Sequence, residues 1–103
     1  MIGEFEYLIL AASLRLDSEA YGAAIRREIE DATGGPCSIG ALYTTLDRLE
    51  TKGLVKTWMG EATAQRGGRA KRMVQVTPAG RRDASAFFSA VLRITGDIAW
   101  GPQ

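Results

Sequence analysis

The stretch Ser38-Ile-Gly-Ala-Leu-Tyr-Thr-Thr-Leu-Asp-Arg-Leu-Glu-Thr-Lys-Gly-Leu-Val55, followed downstream by Gln65-Arg-Gly-Gly-Arg-Ala-Lys-Arg72, decides the reading of this chain. Ser38 is a strong N-cap, because its hydroxyl can accept from a free amide of the first helical turn. At about 100° per residue Leu42, Leu46 and Leu49 fall in one narrow sector, with Ile39 at its edge. Gly53, after Lys52, is placed to take the left-handed conformation that ends a helix. Residues 54–58 and 72–76 then alternate as strands. Between them, residues 60–70 are polar and rich in small residues, with a basic tip. A helix followed directly by a basic hairpin is the chain order of a winged helix-turn-helix. The expected fold is therefore mainly α with a small β-hairpin, and duplex DNA is the leading candidate partner.

Upstream, Phe5, Leu8, Ile9, Ala12 and Leu16 recur at helical spacing over residues 4–15. A short break at 16–19 offers Asp17 or Ser18 as the cap of a second helix, over residues 20–32. The apolar positions of that helix are Tyr21, Ala24, Ile25, Ile29 and Ala32. Its wet side carries Arg26, Arg27, Glu30 and Asp31, with Arg27 and Asp31 at pairing distance. Gly34, Gly35 and Pro36 stop it, leaving a turn over 34–37 of helix-turn-helix length. Downstream, Thr77 as N-cap with Pro78 at the first position starts a last helix that runs towards residue 98. It is interrupted only by the weak point Gly96. Its apolar residues Ala84, Phe87, Phe88, Val91, Leu92, Ile94 and Ile98 form a broader face than so small a domain buries alone. Residues 1–77 thus read as the winged helix-turn-helix, with a recognition helix at 39–52 and a wing at 55–77. Residues 78–103 read as a C-terminal dimerisation helix of the same compact domain.

The chain has 103 residues, 46% hydrophobic and 24% charged, as expected of one folded domain. It has no apolar run long enough to span a bilayer and no basic leader before Gly3 and Glu4. One cysteine, Cys37, allows no internal disulfide and fits a reducing cytoplasm. Cys37 precedes a helix N-terminus, where a thiolate is favoured; a plain loop cysteine is the better-supported reading than a redox sensor. There is no histidine, which excludes serine–histidine and cysteine–histidine catalysis and imidazole-bound zinc. Arg66-Gly67-Gly68-Arg69 lacks the spacing of a P-loop or a dinucleotide fingerprint. Neither an enzyme nor a cofactor nor a metal is expected. The net charge is only +1, but it is unevenly spread. Residues 1–34 are acid-rich, whereas Arg66, Arg69, Lys71, Arg72, Arg81 and Arg82 occur with no intervening acid. Such asymmetry gives a nearly neutral protein a local positive field.

With the leucines facing inward, the third helix presents Gly40, Thr44, Asp47 and Thr51, flanked by Tyr43 and Arg48. Its N-terminal part would enter the major groove, which brings Ser38, Gly40, Ala41, Thr44 and Arg48 nearest the bases. Gly40 and Ala41 allow close backbone approach, and Thr44 can hydrogen-bond or meet a thymine methyl. Tyr43 suits a phosphate or sugar. Arg48 either reads DNA or pairs within Asp47-Arg48-Leu49-Glu50. Arg66 and Arg69, set around Gly67 and Gly68, suit a narrow minor groove; Lys71 and Arg72 suit phosphate. Trp58 is expected to pack on the hairpin. Trp100 is expected at a helix–helix contact or in an effector pocket.

Taken together, Tyr21-Gly22, the run from Ser38 through Gly40-Ala41-Leu42-Tyr43, Leu46, Arg48-Leu49-Glu50 and Gly53-Leu54-Val55, the tip Arg66-Gly67-Gly68-Arg69 with Lys71-Arg72, and Thr77-Pro78-x-Gly80 resemble the PadR family of bacterial transcriptional regulators. The resemblance covers roughly residues 5–82. It implies a homodimer on palindromic promoter DNA, usually a cytoplasmic, nucleoid-bound repressor, with Tyr21 joining the DNA-contacting set. It also implies that the first and last helices build the dimer, through Phe5, Leu8, Phe87, Phe88, Val91, Leu92, Ile94 and Ile98. The short C-terminus is similar to the subfamily with a single final helix. Family members are often released from DNA by small aromatic or cationic compounds. Two positions depart from the pattern: Val74 stands where a tyrosine is frequent, and Ala23 where a bulkier residue follows Tyr-Gly. The competing reading is a winged-helix module that binds another protein without reading DNA.

Overall fold

The computed structural model describes residues 1–60 and 70–102. In chain order it has α1 (Glu4–Leu16), a 3-10 turn (Asp17–Glu19), α2 (Gly22–Thr33), α3 (Ile39–Thr51), β1 (Val55–Met59), β2 (Arg72–Val76) and α4 (Pro78–Thr95). The strands form an antiparallel pair in which Val55 faces Val76 and Met59 faces Arg72. The wing-tip residues Arg66, Gly67, Gly68 and Arg69 lie outside the described residues. No described helix is long and apolar enough to cross a membrane.

The core follows from the apolar stripes. Ile9 and Leu10 of α1, Ile25 of α2, Leu42, Leu46 and Leu49 of α3 and Val55 of β1 are fully buried. Burial of this kind contributes about 1.5–3 kcal/mol per large side chain. Ile39, at the edge of the stripe, remains exposed. Phe5, Tyr7, Leu8, Leu16 and Phe87 pack at the core's margin, where Tyr7 of α1 stacks on Phe87 of α4 with ring centroids 4.9 Å apart.

Each end of α3 is built as its residues dictate. The Ser38 hydroxyl accepts from the Ala41 amide at 3.2 Å. At the far end Gly53 (φ 75°) is left-handed; its amide donates to the Glu50 carbonyl and that of Leu54 to the Leu49 carbonyl, the paired bonds of a Schellman stop. The next helix is capped equally clearly: Thr77 Oγ1 accepts from the Gly80 amide at 3.1 Å and donates to the Gly53 carbonyl at 2.7 Å. Gly80 is obligatory there, because a Cβ on it would collide with the Leu54 carbonyl oxygen and a Val76 methyl.

Three local expectations fail for identifiable reasons. The second helix begins at Gly22, with the extended Tyr21 as its N-cap and no side-chain cap from Asp17 or Ser18. Residues 20 and 21 are recruited to the sheet instead: the Val74 amide donates to the Ala20 carbonyl at 3.0 Å, and Tyr21 bridges Met73. Arg27 leaves Asp31 and reaches Tyr21, while Arg26 makes the i,i+4 pair with Glu30, at 3.9 Å. The last helix stops at Thr95, with Gly96 in a positive-φ conformation, so Ile98 and Trp100 follow the helix rather than extend it.

One ion pair ties α1 to α3. The Glu6 carboxylate, 7% exposed, accepts from the Gly3 amide at 3.0 Å and from Lys52 Nζ at 2.8 Å. These bonds, the amide first and Lys52 second, hold its carboxyl below the ordinary value of 4.5. A carboxyl depressed on folding stabilises the native state above its unfolded pKa, and the benefit is lost as pH falls through the folded value. Glu6→Gln is therefore expected to cost about 1–3 kcal/mol near neutrality. In urea titrations at a series of pH values, it should also flatten the acid limb of stability below about pH 4.5.

Candidate nucleic-acid interface

The exposed side of α3 carries Ser38, Gly40, Ala41, Thr44, Asp47 and Arg48, all open to solvent. It is a small-residue surface near the helix N-terminus with larger charged groups further on. The turn that presents it is secured from α2. Arg26 Nε donates to the Cys37 carbonyl at 2.7 Å, and the Cys37 amide donates to Glu30 Oε2 at 3.1 Å. Two side chains one turn apart on α2 thus hold both polar groups of the residue before the Ser38 cap.

Tyr43 is half-buried and turns inward. A Cβ at Gly22 would lie 2.5 Å from its hydroxyl, so the glycine leaves room for the ring against the start of α2. Beside this contact stands Tyr21, whose ring has Lys71 Nζ 4.3 Å and Arg27 5.9 Å from its centroid. Arg27 Nη2 also donates to the Tyr21 hydroxyl at 3.1 Å. That bond, followed by the nearby Lys71 charge, draws the phenol's pKa down. The start of α2, the start of β2 and the flank of α3 therefore converge on a basic, aromatic cluster of Tyr21, Arg27, Lys71 and Tyr43.

The structure places the other expected contacts in distinct settings. Arg48 is exposed and, among the described residues, has no ion-pair partner; the Asp47-x-x-Glu50 carboxylates flanking it are taken by Arg72. Arg72 Nη2 lies 2.8 Å from Asp47 Oδ1 and 3.7 Å from Glu50 Oε1. The expectation of an Arg72 that reaches out to phosphate thus meets a guanidinium committed to the protein's own acids. Asp47, Glu50, Thr57 and Arg27 were not singled out from the sequence as site residues. The i,i+3 carboxylates of α3 were a visible signal, but their partner comes from β2, far along the chain. Val74 is buried in the strand, where its side chain fills the core.

On the opposite side, Phe88, Val91, Leu92, Ile94, Ile98 and Trp100 are exposed; Phe5, Leu8 and Phe87 are half-buried at the core margin. A cleft of about 400 Å³ between α1 and α4 is lined by Tyr7, Ala11, Leu14, Arg81, Ala84, Ser85 and Phe88. Trp100 does not line it. Trp58, 49% exposed, lines a groove with its hairpin neighbours Met73 and Gln75 and with Asp17.

A helix-turn-helix whose second helix runs directly into a two-stranded hairpin, with a basic cluster where they meet, defines a winged-helix protein. F93 from STIV, a winged-helix DNA-binding protein, superposes with a TM-score of 0.69 at 19% identity over 90% of this chain and 92% of its own. RosR of H. salinarum gives 0.66 at 28% identity over 95% and 81%. The model of the transcriptional regulator PadR-like family matches residues 10–86. Transcriptional regulator Rv3488 of Mycobacterium tuberculosis is 42% identical over 87 residues, 82% of this chain and 75% of the relative. The chain belongs to the PadR-like family of transcriptional regulators, and not to an enzyme family.

Cys37 is 4% exposed, and burial, reinforced by the Glu30 carboxylate, pushes its thiol above the ordinary range, with Arg26 offsetting part of the shift. The thiolate fraction near neutral pH is correspondingly small. Reaction with an aromatic disulfide reagent at pH 8 is expected to be at least about tenfold slower in the native protein than after denaturation. Equal rates would contradict this assignment.

Proposed function

We propose that this chain is a homodimeric, DNA-binding repressor whose operator is palindromic and whose release is controlled by a small aromatic effector. The observation that carries the reading is the juxtaposition of the small-residue face of α3 with the Tyr21, Arg27 and Lys71 cluster. Gly40 and Ala41 permit close approach to base edges, Thr44 supplies a hydroxyl and a methyl, and the cations at the flank suit phosphates. The strongest bidentate base readers are missing from the first turns, so groove shape and the wing residues Arg66 and Arg69 carry much of the recognition. The exposed apolar side of α4 supports a second copy as the covering partner, since a solvent-exposed patch of this kind marks an interaction surface. Two-fold symmetry then sets half-sites about 34 Å apart. The cleft between α1 and α4, with Tyr7 and Phe88 as aromatic walls and Arg81 at its edge, suits a planar aromatic anion. A cytoplasmic, nucleoid-bound location accompanies this reading.

Binding to a promoter duplex should fall steeply with salt. Arg48→Ala and Lys71→Ala should each weaken it about three- to tenfold, with the log–log salt slope reduced by about one for Lys71→Ala. Sedimentation should give a dimer at micromolar concentration, and Leu92→Glu should give a monomer with impaired binding. A salt-independent interaction, or a wild-type monomer, would remove the proposal. Titration of an aromatic carboxylate should lower duplex affinity, and Arg81→Ala should abolish that response; an unchanged response in Arg81→Ala would dissociate the effector from this cleft.

A further inference from the structure

Asp47 and Glu50 are an anomaly on a helix read as facing DNA. Asp47 follows Thr44 by three residues and Gly40 by seven, so it shares their exposed side, and its side chain is 69% accessible. A carboxylate there meets the phosphate backbone with like charge. The structure supplies a counter-charge from the start of β2. Arg72 Nη2 is 2.8 Å from Asp47 Oδ1 and 3.7 Å from Glu50 Oε1, and donates to Thr57 Oγ1 at 3.3 Å. The other Glu50 oxygen accepts from the Thr57 amide at 2.9 Å and hydroxyl at 2.8 Å. The guanidinium also lies 5.8 Å from the Tyr43 ring centroid. Its side chain is only 18% accessible. Lys71, the neighbouring cation just before β2, sits over Tyr21 instead.

We propose that Arg72 is a positioning residue. Its single charge offsets that of Asp47 on the exposed side of α3, is shared with Glu50 at the helix flank, and ties the hairpin to that helix through Asp47, Glu50 and Thr57, leaving phosphate contact at this corner to Lys71. The inference rests on the DNA-binding reading given above. A planar guanidinium is suited to the task because one fork can serve two acids and a hydroxyl, and can stack on a ring, where an ammonium offers only a point charge.

A double-mutant cycle separates this role from direct phosphate binding. The probe is a duplex from the region upstream of the chain's own coding sequence, with a mixed-sequence duplex beside it. Arg72→Met keeps the aliphatic stem and is expected to weaken binding about tenfold. The pair Asp47→Asn with Glu50→Gln is expected to change affinity less than about threefold when Arg72 is present, and to restore Arg72→Met to within about threefold of wild type. If the effects simply multiply, so that removing the acids helps equally with and without Arg72, the neutralising role is overturned and Arg72 is a phosphate ligand. An Arg72→Met protein that binds like wild type overturns it as well. Arg72→Lys provides the same cycle in a variant that retains the charge, with a smaller loss of about threefold and the same rescue; no loss on this change would show that the fork is dispensable. Wild-type protein that binds neither duplex would instead refute the DNA-binding reading itself.

Discussion

Three chain segments meet at the carbonyl of Leu54, and the arrangement of the molecule depends on that meeting. The carbonyl accepts from the Thr77 amide at 3.0 Å, and the Cα of Gly80 approaches it so closely that no Cβ fits. Thr77 simultaneously binds the carbonyl of Gly53, the left-handed residue that ends α3. The exit of the reading helix, the base of the hairpin and the entry of α4 are thereby joined within a few bonds. A side chain at position 80 would drive α4 outward by at least the overlap, costing about 1–3 kcal/mol in forced displacement. In a dimer built on α4, the direction in which that helix leaves this point sets how far apart two copies of α3 stand.

The signals that were legible in the chain are those whose physics is local. Ser38, Gly53 and the Thr77-Pro78-x-Gly80 run cap helices through residues three or four positions away, and the structure has them doing so. The buried stripe of Leu42, Leu46 and Leu49 is equally local, because helical geometry alone places them on one side. What could not be read depends on partners distant in sequence. Asp17 and Ser18 look like caps, but residues 20 and 21 are drawn into pairing with β2, which moves the start of α2 to Gly22. Arg48 stands among acids in the sequence, yet helix geometry points it away from them while the strand delivers Arg72. Arg27 has an acid at the favoured spacing and nevertheless reaches back to the Tyr21 hydroxyl. Propensity and spacing are weak priors that tertiary contacts override.

The α1 helix has a double attachment made by two neighbouring residues. Glu6 binds Lys52 at the end of α3, while the adjacent Tyr7 stacks on Phe87 of α4 and lines the cleft between those helices. Successive helical residues point about 100° apart, so one turn of α1 touches the end of α3 on one side and α4 on another. Separating Glu6 from Lys52 leaves a buried carboxylate without its counter-charge, so the contact between α1 and the end of α3 resists displacement.

Net charge says little about whether such a protein holds DNA; what matters is which charges are already spoken for. Glu6 is matched by Lys52, Glu28 by Arg15, Glu30 by Arg26, and Asp47 and Glu50 by Arg72. Both acids of α3, Asp47 and Glu50, thus have a cation beside them. Among the described residues, Arg27, Arg48 and Lys71 are the cations beside α3 without an acidic partner. A chain of net charge +1 can therefore carry unpaired positive charge on one side. Arg72 sets its single charge against two acids, 2.8 Å from Asp47 and 3.7 Å from Glu50, so positive potential on that side has to come from the cations that no acid holds.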